Sequence, residues 1–358
     1  TARSARRIGP LLATVLVARG QIEEAERLLE RAVALCEKRA PGGRDASSSL
    51  QRLGEFQLRL GRLDVAERHL RAALAILSEL APDSAEEAES SHALGVVLER
   101  QGRHEEALAF LRRSVEAIQA QSRRLAGSDD ARVAFRAHYH EYHRDLEELL
   151  LNQARPEEAF GAVEASRART LLALMTYRDL DLARDVSPEL ERERRRADAE
   201  HDRVLRRLGA ARDAPQRASL RQELGQARRR QDEVRAKIRT AAPRLAAVRD
   251  PQPLDLAGVR RALAPGTLLL AYSLASERSR LYAVGPGPED FSVSRLDIGE
   301  VALREEVRRF RESIQTTRGR LRRRALLDQS RRLGQILLSP IQAQLARAER
   351  VLIVPDGA

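Results

Sequence analysis

Three stretches of this chain superpose without a gap: "ARGQIEEAERLLERAV", "RLGRLDVAERHLRAAL" and "RQGRHEEALAFLRRSV". Their glycines, Gly20, Gly61 and Gly102, stand 41 residues apart, and Ala25, Ala66, Ala107 and Leu29, Leu70, Leu111 keep the same interval. A period of this length constrains the fold more than any single motif. Each block reads helix, glycine turn, helix. The small Ala lets two helices approach closely, and the Leu four residues on lies on the same face. Leu53-Gly54 and Leu94-Gly95 hold matching places on the first helix of their blocks. One such hairpin cannot bury its apolar face alone, so the blocks are expected to stack into a superhelix with a concave side.

The pattern Gly54, Ala66, Leu70, Ala73 resembles the tetratricopeptide repeat, in a form with extended helices. Ala13 replaces the glycine in the first block, and Ser114 replaces the last alanine in the third. Three repeats are expected over residues 1–122, and a fourth, longer hairpin over residues 123–177. In that fourth hairpin Ala159 lies 52 residues after Ala107, eleven beyond the period, with the excess near "SRRLAGSDDAR", and Ala154 stands where the turn glycine belongs. By analogy with such repeats, the first-helix residues Gln51, Glu55, Arg59, His92, Val96 and Arg100 are expected to line the concave side. Their mixed polarity suits a protein or peptide ligand, although each alone is also what a solvated helix surface offers.

Two other clusters bear on chemistry. In "HYHEYH", His140 and His143 are three apart on a helix, and a metal site there would need Glu141 or Glu147. Packing or surface roles are the simpler reading, so no metal and no cofactor is assigned. Cys36 has no histidine near it in sequence and reads as a small apolar packing residue rather than a nucleophile.

Composition narrows the classes. Ala, Leu, Arg and Glu dominate, aromatics are 3% and Trp is absent, which suits long helices. No stretch has the apolar length a bilayer span needs. A single cysteine excludes an intrachain disulfide and fits a reducing compartment, the cytoplasm. The net charge of +11 comes from 64 basic against 53 acidic residues. Only Lys38 and Lys237 are lysines, and the arginines are interspersed with acids. The densest basic run, Arg318 to Arg324, has no aromatic to stack on bases, so direct nucleic-acid binding is not expected.

Beyond the repeats, residues 178–245 read as an Arg/Glu-rich antiparallel helical pair broken near Pro215. Residues 246–358 turn α/β. "LLLAYSL" and "RLYAVG" form a hairpin signature, and "FSVSRLDIG" is a further strand. Helices are expected from about Glu300 to Arg318 and from about Arg324 to Leu345. Val351 to Val354 then make a strand of the kind covered on both faces. The fold class is mainly α: a helical-repeat superhelix and helical hairpin, then a partial α/β domain.

The order of these pieces, with Ser166-Arg167-Ala168-Arg169, Pro265-Gly266-Thr267 and Ile353-Val354-Pro355-Asp356-Gly357, resembles the CHAT family, whose caspase-like domains are attached to tetratricopeptide repeats. The resemblance implies a cysteine endopeptidase whose repeats bind a regulatory protein partner, a ribonucleoprotein effector being one class. The alternative is a non-catalytic scaffold for protein or ribonucleoprotein assembly. In the family a catalytic His and then a Cys follow the last of these motifs. Here the last histidine is His201 and the sole cysteine is Cys36. No catalytic residue can be carried over, and the chain is expected to stop inside a caspase-like core and to be inactive alone. Arg167 and Arg169 at a helix end have a structural reading, since cations favour that end.

Overall fold

The computed structural model describes residues 12–13, 15–124, 139–176, 187–211, 213–242, 254–316 and 320–356. Most of the Gly/Ser/Asp loop expected after residue 122, and part of the basic run 318–324, lie outside these. So do the side chains of Ala168 and Arg169. The chain divides into two compact units: Thr1–Leu149 with Leu171–Pro251, and Leu150–Thr170 with Gln252–Ala358.

The first unit begins with paired helices. α1 (Ile22–Arg39) follows a helix described at residues 12–13 and 15–18. α2 (Arg44–Arg59) pairs with α3 (Leu63–Leu80), and α4 (Ala85–Arg100) with α5 (His104–Arg124). The turns between partners place Gly20, Gly61 and Gly102 at φ +74°, +74° and +78°, a left-handed conformation that only glycine adopts without a Cβ penalty. The periodic residues are the core: Ala25, Ala66 and Ala107 are wholly buried, as are Leu70 and Leu111. Gly54 and Gly95 give contact instead of a turn. A Cβ on Gly54 would sit 2.7 Å from Leu70 Cγ, and one on Gly95 would sit 2.8 Å from Leu111 Cγ. Small residues here set how closely the paired helices approach.

Successive pairs are also tied by a recurring ion pair. Arg62, just past its turn glycine, donates to Glu26 at 2.6 and 2.7 Å, and Arg103, 41 residues on, donates to Glu67 at 2.8 Å twice. Burial would push the Glu67 carboxyl up, but hydrogen bonds from Arg71 and Arg103 outweigh it and hold the group below its usual range.

α6 (His140–Asn152) ends in a turn with Ala154 at φ +54°, and α7 (Pro156–Thr176) follows it in the chain. Further on come α8 (Pro188–Ala210) and α9 (Ala214–Ala241). Ser187 and Asp213 cap their first turns, accepting from Leu190 N and Gln216 N. Pairings Glu193–Lys237, Glu200–Arg230 and Arg207–Glu223 run in opposite chain directions, so the two helices are antiparallel. Within this unit Arg221 reaches Glu79 at 3.1 Å and Arg228 binds Asp83, anchoring the pair to the end of α3.

The second unit is a four-stranded sheet of order β3-β2-β1-β4, from β1 (Thr267–Ser273), β2 (Ser279–Val284), β3 (Phe291–Leu296) and β4 (Arg350–Val354). β1 pairs antiparallel with β2, β2 with β3, and β1 parallel with β4. One face packs Leu268, Leu270, Leu281 and Ala283 against α11 (Glu300–Thr316) and α12 (Arg320–Leu338) through Leu303 and Leu333. The other packs Ala271, Tyr282 and Val284 against Phe160 and Val163 of α7 and Leu256 and Val259 of α10 (Leu256–Ala262). Covered on both faces, β1 and β2 are near-continuous apolar runs.

One expectation changes. The helix expected through Leu345 stops at Leu338, and a tight turn at Ser339–Ile341 precedes a four-residue helix, α13 (Gln342–Leu345). Pro340 lacks the N–H a continuing helix needs and disfavours helical backbone at Ser339. Among the described residues β4 borders only β1, and its Val351, Leu352 and Ile353 are exposed.

Candidate functional site

The 41-residue period places Gln51 with His92, Glu55 with Val96, and Arg59 with Arg100 at equivalent positions of α2 and α4. Each set steps by four residues, so it runs along one helix face. Gln51 is buried. Its Nε2 donates to Glu55 Oε1 at 2.9 Å and to Glu89 Oε2 of α4 at 3.1 Å, joining the two first helices. Glu55 and Val96 are half-buried, while Arg59 and Arg100 are exposed at the helix ends nearest the turns. Arg100 Nη1 donates to Leu58 O at 3.5 Å.

His92 looks the other way along the face. Its Nε2 lies 2.7 Å from Asp145 Oδ2, and its ring stacks on Tyr142 of α6 with centroids 3.9 Å apart and planes 5° from parallel. Tyr139 meets Tyr142 edge-on at 5.2 Å and donates its hydroxyl to Glu89 Oε1 at 2.8 Å. Glu89 thus accepts from both Gln51 and Tyr139, and a polar and aromatic chain runs from α2 across α4 to α6. "HYHEYH" contributes its buried tyrosines to this chain. Among the described residues no group of three or more His, Cys, Asp or Glu is arranged to hold a metal ion.

Electrostatics follow from burial among acids. Burial, with Glu89 nearby, raises Glu55 above the usual carboxylate range despite the Gln51 hydrogen bond. Burial, then Asp145 and Glu148, raises Glu99. Burial, with Glu89 close, likewise holds Tyr139 and Tyr142 well above ordinary tyrosine, so both remain neutral donors. The face is acidic at its centre and basic where Arg59 and Arg100 end their helices.

Tyr139, Tyr142 and Asp145 escape a reading based on the period, since the fourth hairpin is out of register with the first three, and Glu89 and Glu99 escape it because Ser48 and Leu58 hold the equivalent places one period earlier. The signal available was the three-residue spacing of Tyr139, just before α6, and Tyr142 in its first turn. Cys36 is buried, with the Ser49 hydroxyl 3.4 Å from its sulfur. Arg167 donates to Glu164 of its own helix at 2.7 Å.

The tetratricopeptide repeat family model matches residues 5–79 and 45–120. Residues 5–120 are tetratricopeptide repeats. Solved structures are also similar to this chain. One is a Podosopora anserina protein described as putative kinesin light chain nearly identical TPR-like repeats, 21% identical, with TM-score 0.38. The match covers 66% of this chain and 96% of that one. A single-substitution form of that protein gives the same identity and TM-score over 67% of this chain. No curated protein matches the chain. The tetratricopeptide region is suited to protein–protein interaction. Among the described residues, no helix is long and apolar enough to cross a membrane.

Proposed function

We propose that the tetratricopeptide repeats bind a protein partner as an extended peptide or helix along the first-helix face of α2, α4 and α6. The observation that carries this reading is the unbroken chain Gln51–Glu89–Tyr139–Tyr142–His92–Asp145, whose largely buried members fix the polar groups of one face across three adjacent helices. Ordered groups lose little side-chain entropy when a ligand docks. The acidic centre favours basic ligand side chains, and Arg59 and Arg100 favour a carboxylate at one end.

On the same reading, the sheet unit is the caspase-like part of a CHAT-type protein, and residues 246–358 form that domain's N-terminal portion. Its support is the segment order together with a mixed sheet covered by helices on both faces. With neither His nor Cys in residues 202–358, these residues carry no His/Cys dyad. The chain's own role is then partner recognition and regulation, with a ribonucleoprotein effector met through protein contacts.

Selection from a displayed peptide library against the whole chain tests the binding reading. Enriched peptides should lose about tenfold or more in affinity, about 1.4 kcal/mol, on Arg59→Glu/Arg100→Glu or on His92→Ala, with thermal stability checked for each variant. Equal affinity for folded variants, or no enrichment at all, would remove this face as the binding surface.

A further inference from the structure

Helix α8 carries two rows of residues at coiled-coil spacing. The inner row is the seam it shares with α9: Leu190, Arg194, Ala197, His201, Val204 and Leu208, alternately four and three residues apart. Ala197 packs with Val234 and Ile238 of α9, and Val204 and Leu208 pack with Leu220 and Leu224. The outer row is Arg192, Arg196, Ala199, Arg203, Arg206 and Ala210, on the same alternation and all exposed. At about 3.6 residues per turn, it lies on the side of α8 opposite the seam.

No acid interrupts this row. Arg192 donates to Glu189 at 2.8 Å, while Arg196, Arg203 and Arg206 form no ion pair or hydrogen bond among the described residues. Arginines beside the seam are matched instead: Arg194 with Glu191 and Asp198, Arg207 with Glu223, Arg230 with Glu200. The corresponding outer row of α9, Gln222, Gln226, Arg229, Glu233, Ala236 and Thr240, is mixed in charge. Only α8 therefore presents a purely cationic and small outer face. Ser187 and Asp213 cap the two helices, so the row belongs to finished elements.

We propose that the outer row of α8 seats an acidic α-helix of a protein partner, laid alongside α8 as a third helix of the coiled coil. The spacing argues for a helix, because this alternation keeps two helices in register over several turns, here about 21 Å from Arg192 to Arg206. Ala199 and Ala210 leave room for closely packed axes. The guanidinium forks suit carboxylates, which they bind through paired hydrogen bonds. Nucleic-acid bases would find nothing to stack on, since residues 178–245 contain no Phe, Tyr or Trp. This inference is independent of the ligand proposed for the repeat face.

Fluorescence anisotropy on the full chain tests it. The probe is a labelled alanine-based helical peptide of about 20 residues, with glutamates alternately three and four apart. It should bind, and Arg196→Glu/Arg203→Glu should weaken it about tenfold or more, with circular dichroism showing that variant folded. Arg196→Ala/Arg203→Ala should weaken it too, and alanine's helix propensity keeps the test open if the glutamates unfold the pair. A peptide of the same composition with its glutamates off that spacing should bind less tightly. Arg59→Glu/Arg100→Glu on the repeats should leave the affinity unchanged. No binding, equal affinity for the spaced and scrambled peptides, or affinity untouched in the folded α8 variants would overturn the proposal. So would binding lost in the repeat variant instead. A uridine oligonucleotide held more tightly than the peptide through the same arginines would assign the row to phosphate and overturn it as well.

Discussion

Ala154 adopts φ +54° in a turn where the three earlier repeats place glycine. A Cβ in the left-handed region costs about 1–2 kcal/mol, while a glycine adds unfolded-chain entropy worth about 0.4–1 kcal/mol. Ala154→Gly should therefore raise stability by about 0.5 kcal/mol, and Gly61→Ala should lower it, both read from thermal denaturation. Two glutamates make opposite predictions with pH. Glu55 titrates higher in the fold than in the unfolded chain, so its charge costs stability at neutral pH, and the cost disappears as pH falls through the raised value. Glu55→Gln should stabilise at pH 7 and make no difference well below pH ~4. Glu67 titrates lower when folded, so its contribution is full above the unfolded value and is lost as pH falls through the folded one. Glu67→Gln should destabilise at pH 7 and be neutral in strong acid. Urea titrations at the two pH values separate the pair, and equal behaviour would contradict the burial and pairing described for them.

At the scale of elements, the helices and their turns were legible because glycine at a left-handed turn and alanine at a close crossing are needs that few other residues meet. Gly95 illustrates the second need: Gly95→Ala places a methyl against Leu111 and should cost about 1–3 kcal/mol by chemical denaturation, with Gly54→Ala similar through Leu70. The candidate face was legible only in part. Gln51, Glu55 and His92 follow from the period. Tyr139 and Tyr142 do not, because they come from a hairpin displaced by eleven residues and enter the face through aromatic stacking that periodicity does not encode. The second role of α7 was hidden for a related reason. Ala159 satisfies the repeat pattern, while Phe160 and Val163 on the same helix pack against β1, β2 and α10. The apolar run of β4 indicated a strand but could not say how many neighbours it has, since an edge and a centre can share one composition.

For the molecule as a whole, the placement of Cys36 bears on chemistry. Its thiol lies buried on α1 against Ser49 of α2, out of reach of a substrate chain. The chain should show no turnover of casein or a peptide library under reducing conditions, and Cys36→Ala should leave that result unchanged. Turnover lost in the variant would make Cys36 a nucleophile and reverse the reading.

The clamp that recurs from Arg62–Glu26 to Arg103–Glu67 has a consequence for the chain's tolerance of excision. Because donor and acceptor both repeat at 41 residues, deleting residues 62–102 sets Arg103 directly after Gly61, with Glu26 in the place Glu67 held. Gly54 would then receive Leu111 as it now receives Leu70. Neighbour contacts alone hold such arrays together, so the shortened superhelix should close and unfold cooperatively. Glu79 and Asp83 leave with the excised segment, and they are the anchors of Arg221 and Arg228. Proteolysis should accordingly find α8 and α9 easier to detach than in the parent chain, while the spliced repeats resist it.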